Sequence, residues 1–486
     1  MTHQKYIIRL TVLLIVGLFL NGRTVSAQSI IDDLKAESVG LSEVTLVWSA
    51  PEEAEIVEGV LYEIRMSTEE ITDQTIWHYL QKCADLSQPA IPGAVESFTV
   101  KQLSCNSTYY FGVYYYGSIS NIVEVTLPAG MFDDPVSYSL HYPEYIHWEA
   151  HCATMGTAAD VNYDHYPDII VANGEENVSV LLNNCDGTFG DPSHYRAGFG
   201  CEGAFMTPAD LNGDGETDLA LAYNCEDLAG VFLNMGNGTF YFKDTYGRGS
   251  RSGAVCAADF DGDRDNDLAL TDWEQNSVAV LLNRGDGSLD EAVFYEAGEK
   301  PLSLCAADFN GDALPDIAVA NGGSGDIALL FNAGGGEFDE TQYIELVPSP
   351  FYIIAADFDN DKQIDLAAAS LKENTVSILL NKYLGNFKDR KTYEVGRSPR
   401  GLCSADFDGD GLLDIAAVNE GEGYSGSVSV LLNNGRGTFR HAVNYAAGKG
   451  PRSVFTADFD NDGDMDMGVT NFEAGTIYIY FNKTIE

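Results

Sequence analysis

The residues of this 486-residue chain that could do chemistry are acidic, and they recur in register. Seven short loops carry an acidic or amide residue at positions 1, 3, 5 and 9. They are Asp160, Asn162, Asp164 and Asp168; Asp210, Asn212, Asp214 and Asp218; Asp259, Asp261, Asp263 and Asp267; Asp308, Asn310, Asp312 and Asp316; Asp357, Asp359, Asp361 and Asp365; Asp406, Asp408, Asp410 and Asp414; and Asp458, Asp460, Asp462 and Asp466. Calcium takes six to eight hard oxygen ligands, and carboxylates at alternate loop positions suit it. Positions 1, 3 and 5 would point inward, position 7 would offer a backbone carbonyl, and Asp at 9 would close the cage. An EF-hand would need Glu at position 12, where these loops have Val171, Leu221, Leu270, Val319, Ala368, Ala417 and Val469. The competing reading is a set of Asx turns that hold no ion. Against it, converging carboxylates repel strongly unless a cation sits among them. The loops therefore predict up to seven structural Ca2+ ions.

The loops are not identical. Gly215, Gly411 and Gly463 supply a tight turn at position 6, whereas His165, Arg264, Ala313 and Lys362 stand there in the other four. A side chain tolerates such a turn less well than glycine does. The first loop, with Asn162 and His165, is the weakest expected site.

Successive loops start 50, 49, 49, 49, 49 and 52 residues apart, and a fixed period of this size is the mark of a repeat architecture. Each repeat reads as four short strands. In one unit these are Phe387 to Tyr393, Gly401 to Ala405, Asp414 to Val418 and Ser427 to Leu432, with the acidic loop between the second and third. Four strands per repeat is what a β-propeller blade requires, and seven loops predict seven blades. The final repeat lacks an outermost strand after Asn482, and residues 130–139 hold an orphan copy of it. That copy is expected to complete the last blade and close the ring, removing both sheet edges.

The acidic loops, with the Gly-Thr-Phe turns at 187–189, 238–240 and 437–439, make these units similar to the FG-GAP or VCBS-type repeats of integrin α-like propellers. The resemblance covers residues 129–486. It implies a seven-bladed propeller with calcium in the loops, usually extracellular and serving in recognition.

Residues 28–128 read differently. Val44 to Trp48, Leu61 to Arg65, Ser97 to Val100, Tyr109 to Val113 and Ile122 to Val125 alternate apolar residues with a period of two. Several short strands without helical periodicity predict a β-sandwich. Trp48, Tyr62, and Leu103 followed six residues later by Tyr109 resemble the pattern of a fibronectin type III domain, an immunoglobulin-like sandwich. Cys105 stands where that family often has proline. The resemblance implies a spacer or adhesion unit. The expected fold is thus all-β, a sandwich followed by a seven-bladed propeller.

Residues 1–27 have the layout of a secretory signal peptide: Lys5 and Arg9, an apolar run from Leu10 to Leu20, and Val25-Ser26-Ala27 as a cleavage site. The run is too short for a spanning helix, so no membrane insertion is expected after cleavage. A secreted, extracellular protein follows, or a periplasmic or cell-surface one if bacterial. The formal charge of −47 argues against nucleic acid, whose phosphates it would repel.

Nine cysteines are an odd number. Cys256, Cys305 and Cys403 each precede a loop by three residues, as Ile354 and Phe455 do, and read as small buried hydrophobes. Cys83 and Cys105 could bridge, and Cys152, Cys185, Cys201 and Cys225 cluster in the first two repeats. Arg284-Gly285-Asp286 is an RGD tripeptide, but it occupies the hairpin turn of its repeat. His141, His147 and His151 lie in an insertion of the first unit and match no familiar metal spacing.

No HExxH, Gly-x-Ser-x-Gly or phosphate-cradling loop is present, so no catalytic or organic-cofactor residue is assigned. The expected function is that of a secreted, calcium-stabilised adhesion or interaction protein, monomeric, with an extracellular protein or glycan as ligand. The alternatives are a carbohydrate-binding lectin and a polysaccharide lyase or hydrolase. Recognition is expected on the loops opposite the acidic face, where Tyr223, Trp273, Tyr424 and Phe472 are the aromatic candidates.

Overall fold

A computed structural model describes residues 31, 34–50, 62–68, 80–86, 95–115, 118–120, 122–127, 130–140, 153–173, 177–196, 205–223, 227–248, 252–339, 341–345, 349–422 and 425–484. The signal peptide, the three histidines of the insertion, Cys152, Cys201, Cys225 and Tyr424 lie outside them. The described residues are all-β, and among them no helix is long and apolar enough to cross a membrane. The chain divides into two compact units.

The smaller unit comprises residues 1–35, 47–97 and 110–123. The strand Tyr62–Ser67 pairs with Gln81–Leu86 on one side and Thr108–Tyr115 on the other. Trp48, at the end of Val44–Ser49, is 2% exposed.

The larger unit takes in residues 36–46, 98–109 and 124–486. Here the described residues form seven four-stranded antiparallel sheets in sequence. The strands that enter the acidic loops lie innermost: Ala153–Ala159, Phe205–Ala209, Ser252–Ala258, Pro301–Ala307, Pro350–Ala356, Pro399–Ala405 and Pro451–Ala457. Each pairs with the strand that leaves its loop, whose first residue is the position-9 aspartate. In the last sheet, for example, Ala457 faces Asp466.

The second strands are apolar on both faces because each sheet is covered by two neighbours. Asp168–Asn173, Asp316–Asn321 and Asp466–Asn471 are buried at every residue. Among the described residues seven apolar cores result, each shared by two adjacent sheets. One joins Ile317 and Val319 to Val278 and Val280. Another joins Ile477 and Ile479 of the last sheet to Ile169 and Val171 of the first. Burying such a side chain contributes about 1.5–3 kcal/mol, so the cycle of cores is the main source of cohesion.

The ring closes as the orphan strand predicts. Val136–Ser139 pairs with Thr476–Tyr480, matching Tyr138 to Ile477. Phe132 bridges to Asn482, and Lys483 lies 2.5 Å from Asp133. Among the innermost strands, Pro451–Ala457 contacts Ala153–Ala159, which completes the circuit.

Candidate metal centres

The position-9 aspartates are fully buried, and both oxygens of each are engaged. Asp414 Oδ2 accepts the backbone N–H of Phe407 at 2.9 Å, and its Oδ1 accepts that of Asn433 at 2.7 Å. The same two bonds recur at Asp168 with Val161 and Asn183, and at Asp466 with Phe459 and Asn482. They recur likewise at Asp218, Asp267, Asp316 and Asp365. Each aspartate therefore ties its acidic loop to the end of the third strand, where a Gly-containing turn follows in all sheets but the last. Burial opposes the charge, and the two N–H donors only partly offset it. The carboxyls rise from 3.8 to about 6 in Asp168, Asp218, Asp267, Asp316 and Asp414, and to about 7 in Asp365 and Asp466.

Positions 1 and 5 organise the loop backbone. Asp406 Oδ2 accepts the N–H of Gly411 at 2.8 Å, and Asp410 Oδ1 accepts that of Leu412 at 2.9 Å. Asx turns and converging carboxylates are thus both present, and the two readings of the sequence are not exclusive. The backbone is left-handed at position 6 of every loop, including His165, Arg264, Ala313 and Lys362. The non-glycine residues there carry the strain that the sequence implies.

Three ligand carboxylates come together in four loops. Asp259, Asp261 and Asp263 form one group and Asp357, Asp359 and Asp361 another; Asp406, Asp408 and Asp414 form a third and Asp458, Asp460 and Asp466 a fourth. Within each group the oxygens lie within 4.8 Å of one another. These are the four loops with aspartate at position 3. Where Asn162, Asn212 or Asn310 stands instead, no three carboxylates gather among the described residues.

Position 3 also supplies the test of fit. The Oδ1 atoms of Asp359, Asp408 and Asp460 are buried and accept no hydrogen bond. An unpaired buried charge is costly, and a hard cation would complete it. Burial, then repulsion from Asp410, raises the Asp408 carboxyl, and burial followed by Asp462 does the same to Asp460. In the fifth loop Lys382 Nζ lies 2.9 Å from Asp359 Oδ2, so a protein cation already shares that site.

A second set of residues escaped the sequence reading. An asparagine ends the third strand of every sheet or follows it by two residues: Asn183, Asn234, Asn283, Asn332, Asn381, Asn433 and Asn482. Each side chain donates from Nδ2 to the position-2 carbonyl of the preceding sheet's loop. Asn433 bonds Phe358 O at 2.9 Å, Asn482 bonds Phe407 O at 2.8 Å, and Asn183 bonds Phe459 O at 2.8 Å. Rings follow the same rule, with Phe439 edge-on to Phe358 at 5.9 Å and Phe189 edge-on to Phe459 at 5.6 Å. The signal was legible, since the asparagine recurs 15 to 19 residues after the position-9 aspartate.

The profile of the FG-GAP-like repeat matches residues 160–221, 210–270, 259–319, 308–368, 357–417 and 406–469, together more than half the chain. The chain belongs to the FG-GAP-like repeat family. A search of curated proteins finds no match. Among solved structures, BBS1N in complex with ARL6DN is similar at 10% identity, in a lead soak with a TM-score of 0.50 and a mercury soak with 0.51. Both alignments cover 73% of this chain and 98% of the other, and at that identity they speak for the propeller fold alone. An Agrocybe aegerita lectin that recognises non-reducing terminal N-acetylglucosamine aligns at 20% identity and a TM-score of 0.46, over 75% of this chain and 93% of the lectin.

The remaining sequence candidates sort by their surroundings in the FG-GAP-like repeats. Tyr223 is 4% exposed and belongs to a core, so it is no surface aromatic. Phe472 is half-buried beneath the guanidinium of Arg452, 3.3 Å from ring centroid to Cζ, and Trp273 is half-buried. In the RGD tripeptide, Arg284 Nε donates to Asp290 at 2.6 Å, and Asp286 accepts the N–H of Ser288 at 2.9 Å, so the turn uses both side chains. Cys83 and Cys105 are free thiols, so the bridge that the sequence allows between them is not formed, and Cys185 is free and exposed. Cys256, Cys305 and Cys403 pack against the apolar cores with their residues partly exposed, and desolvation pushes the Cys256 and Cys403 thiols up to about 12.

Proposed function

We propose that this chain is a secreted, calcium-stabilised binding protein built on a seven-bladed propeller. Residues 129–486 form the propeller, and residues 28–128 form a fibronectin type III-type spacer. It acts in adhesion or in another extracellular interaction, as a monomer whose ligand is a protein or a glycan. The observation that carries the calcium reading is the set of buried, donorless position-3 oxygens in loops where three carboxylates meet. Their own chemistry asks for a hard cation.

Calcium in these loops would supply charge neutralisation at the end of each blade. The residues that would hold it are the position-1, -3, -5 and -9 side chains of the four aspartate-rich loops, with the three asparagine loops as weaker sites. The position-9 aspartate orients each loop whether or not an ion is bound, because its two N–H partners belong to the fold. The spacer reading is supported by Tyr109, whose hydroxyl accepts the N–H of Ser104 at 2.9 Å, a bond typical of a tyrosine corner.

Calorimetric titration of chelator-stripped protein tests the proposal. The reading predicts saturable calcium binding with at least four tight sites per chain. Absence of saturable binding at millimolar calcium would refute it. Mass measurement of exported protein tests secretion, with Gln28 as the expected first residue and retention of residues 1–27 as the contrary result.

A further inference from the structure

The innermost strands begin at the end of the propeller opposite the acidic loops, seven residues or roughly 20 Å away in most sheets. Proline begins four of them, but the second residues differ, with Thr154, Gly253, Leu302, Phe351, Arg400 and Arg452 among them. Thr154, Met155, Phe205, Phe351, Tyr352, Arg400, Arg452 and Ser453 line a cavity of about 100 Å³ there, near the axis on which the innermost strands converge. Every one of them is the first, second or third residue of its strand.

The chemistry of this cavity is unlike that of the rest of the chain. Only 27 residues are Lys or Arg against 74 acidic ones. Yet Arg400 and Arg452 stand side by side on adjacent sheets, with Arg397 and Lys449 in the turns just before their strands. Glu420 is the counter-charge. It takes Arg400 Nε at 2.6 Å and lies 4.0 Å from Arg452 Nε, with the two arginine side chains 26% and 32% exposed. Among the described residues, the Arg400 and Arg452 guanidinium groups share this one carboxylate.

The guanidinium groups are held in place. Arg400 lies over Phe351 at 5.3 Å and Arg452 over Phe472 at 3.3 Å. Across the cavity Phe205 and Tyr352 stack at 6.5 Å with an interplanar angle of 27°. A pair of positioned cations above an apolar aromatic floor fits an anion with a short apolar stem. Guanidinium donors match a carboxylate particularly well. The volume admits about three waters' worth of ligand, which is a carboxylate and one or two carbons.

We propose that this axial cavity binds the carboxylate of a small organic acid, or of a sugar acid whose ring stays outside it, with Arg400 and Arg452 on the carboxylate and Phe205, Phe351 and Tyr352 against the carbons next to it. The inference rests on the reading of the propeller as a binding scaffold and names the ligand chemistry of that scaffold. The acidic loops, at the far end of the strands, lie beyond a Debye length and do not repel a monoanion here.

Calorimetric titration of the calcium-loaded full chain with propionate and with methyl glucuronide, each beside its amide, tests the site. Both acids, or one of them, are expected to saturate, with the amides at least tenfold weaker, and the tighter acid identifies the source. Arg452→Ala and Arg400→Ala are each expected to weaken the acid at least tenfold while the melting temperature is kept. Equal affinity for acid and amide, unchanged affinity in both arginine variants, or no saturation by either acid would overturn the inference. The acid–amide comparison needs no variant, so a variant that misfolds leaves the test standing. A calcium melt on the same sample separates the two levels: lost acid binding with intact calcium stabilisation removes only this inference, whereas no calcium effect removes the reading beneath it.

Discussion

Asn183 donates its side-chain amide to the carbonyl of Phe459 at 2.8 Å, joining the first repeat to the last across 276 residues of chain. The same bond links every neighbouring pair, from Asn234 with Val161 to Asn482 with Phe407. A strand exchange closes the last sheet, and this asparagine closes the face that carries the acidic loops.

Removing one hook is predicted to cost stability out of proportion to the atoms lost. Asn433→Ala strands the carbonyls of Phe358 and Leu413 and the N–H of Gly435, all within 2.9 Å of the present amide. A loss of about 2–4 kcal/mol is expected in a denaturant titration. The exposed neighbour Asn434→Ala should cost under about 1 kcal/mol.

Two aspartates of one loop are predicted to separate folding from ion binding. Asp408→Asn removes a buried carboxylate oxygen that no protein donor uses, so it should weaken calcium binding and leave the calcium-free protein as stable as before. Asp414→Asn disturbs the acceptor of Phe407 and Asn433 and should destabilise the calcium-free protein by about 1–3 kcal/mol. Chemical denaturation in chelator distinguishes the two.

The pH response without calcium follows from the raised position-9 carboxyls. Folding holds their protons more tightly than the unfolded chain does, so their contribution to stability is fully present below about 3.8. It is lost as pH rises through about 6 to 7. In chelator the melting temperature is expected to be higher at pH 5 than at pH 7.5. Saturating calcium, which favours the ionised form, should diminish or reverse that slope.

Position 6 offers a stabilising change. Ala313 sits at φ 71°, and Ala313→Gly should gain about 0.5–1 kcal/mol by relieving a left-handed non-glycine residue. The reverse change, Gly411→Ala, should cost about 1 kcal/mol, and from backbone strain alone, since a Cβ there would meet nothing within 4 Å. Thermal melts of both variants check the pair.

The repeat made much of this legible. The spacing of the acidic loops predicts the innermost and second strands, and Asp414 does begin one. The orphan Phe132 predicts the closing strand because a ring needs an outer partner for Thr476–Tyr480. Local alternation found Val44–Ser49 but not Lys35–Val39 or Gln81–Leu86, which carry charged and polar residues where an apolar face was sought. The double role of the position-9 aspartate was hidden because its partners are backbone N–H groups, which have no sequence identity. The axial cavity was hidden for another reason. Thr154, Phe205, Phe351, Arg400 and Arg452 come from five repeats and meet only when the ring closes.

The central claim, that the acidic loops clamp the propeller through calcium, is tested most directly by thermal melts of the full chain with calcium and with EGTA. Four sites filled at about 100 times their Kd would each add about 2.7 kcal/mol, so chelation should lower the melting temperature by about 10 °C or more. Superimposable melts in calcium and EGTA would contradict the account.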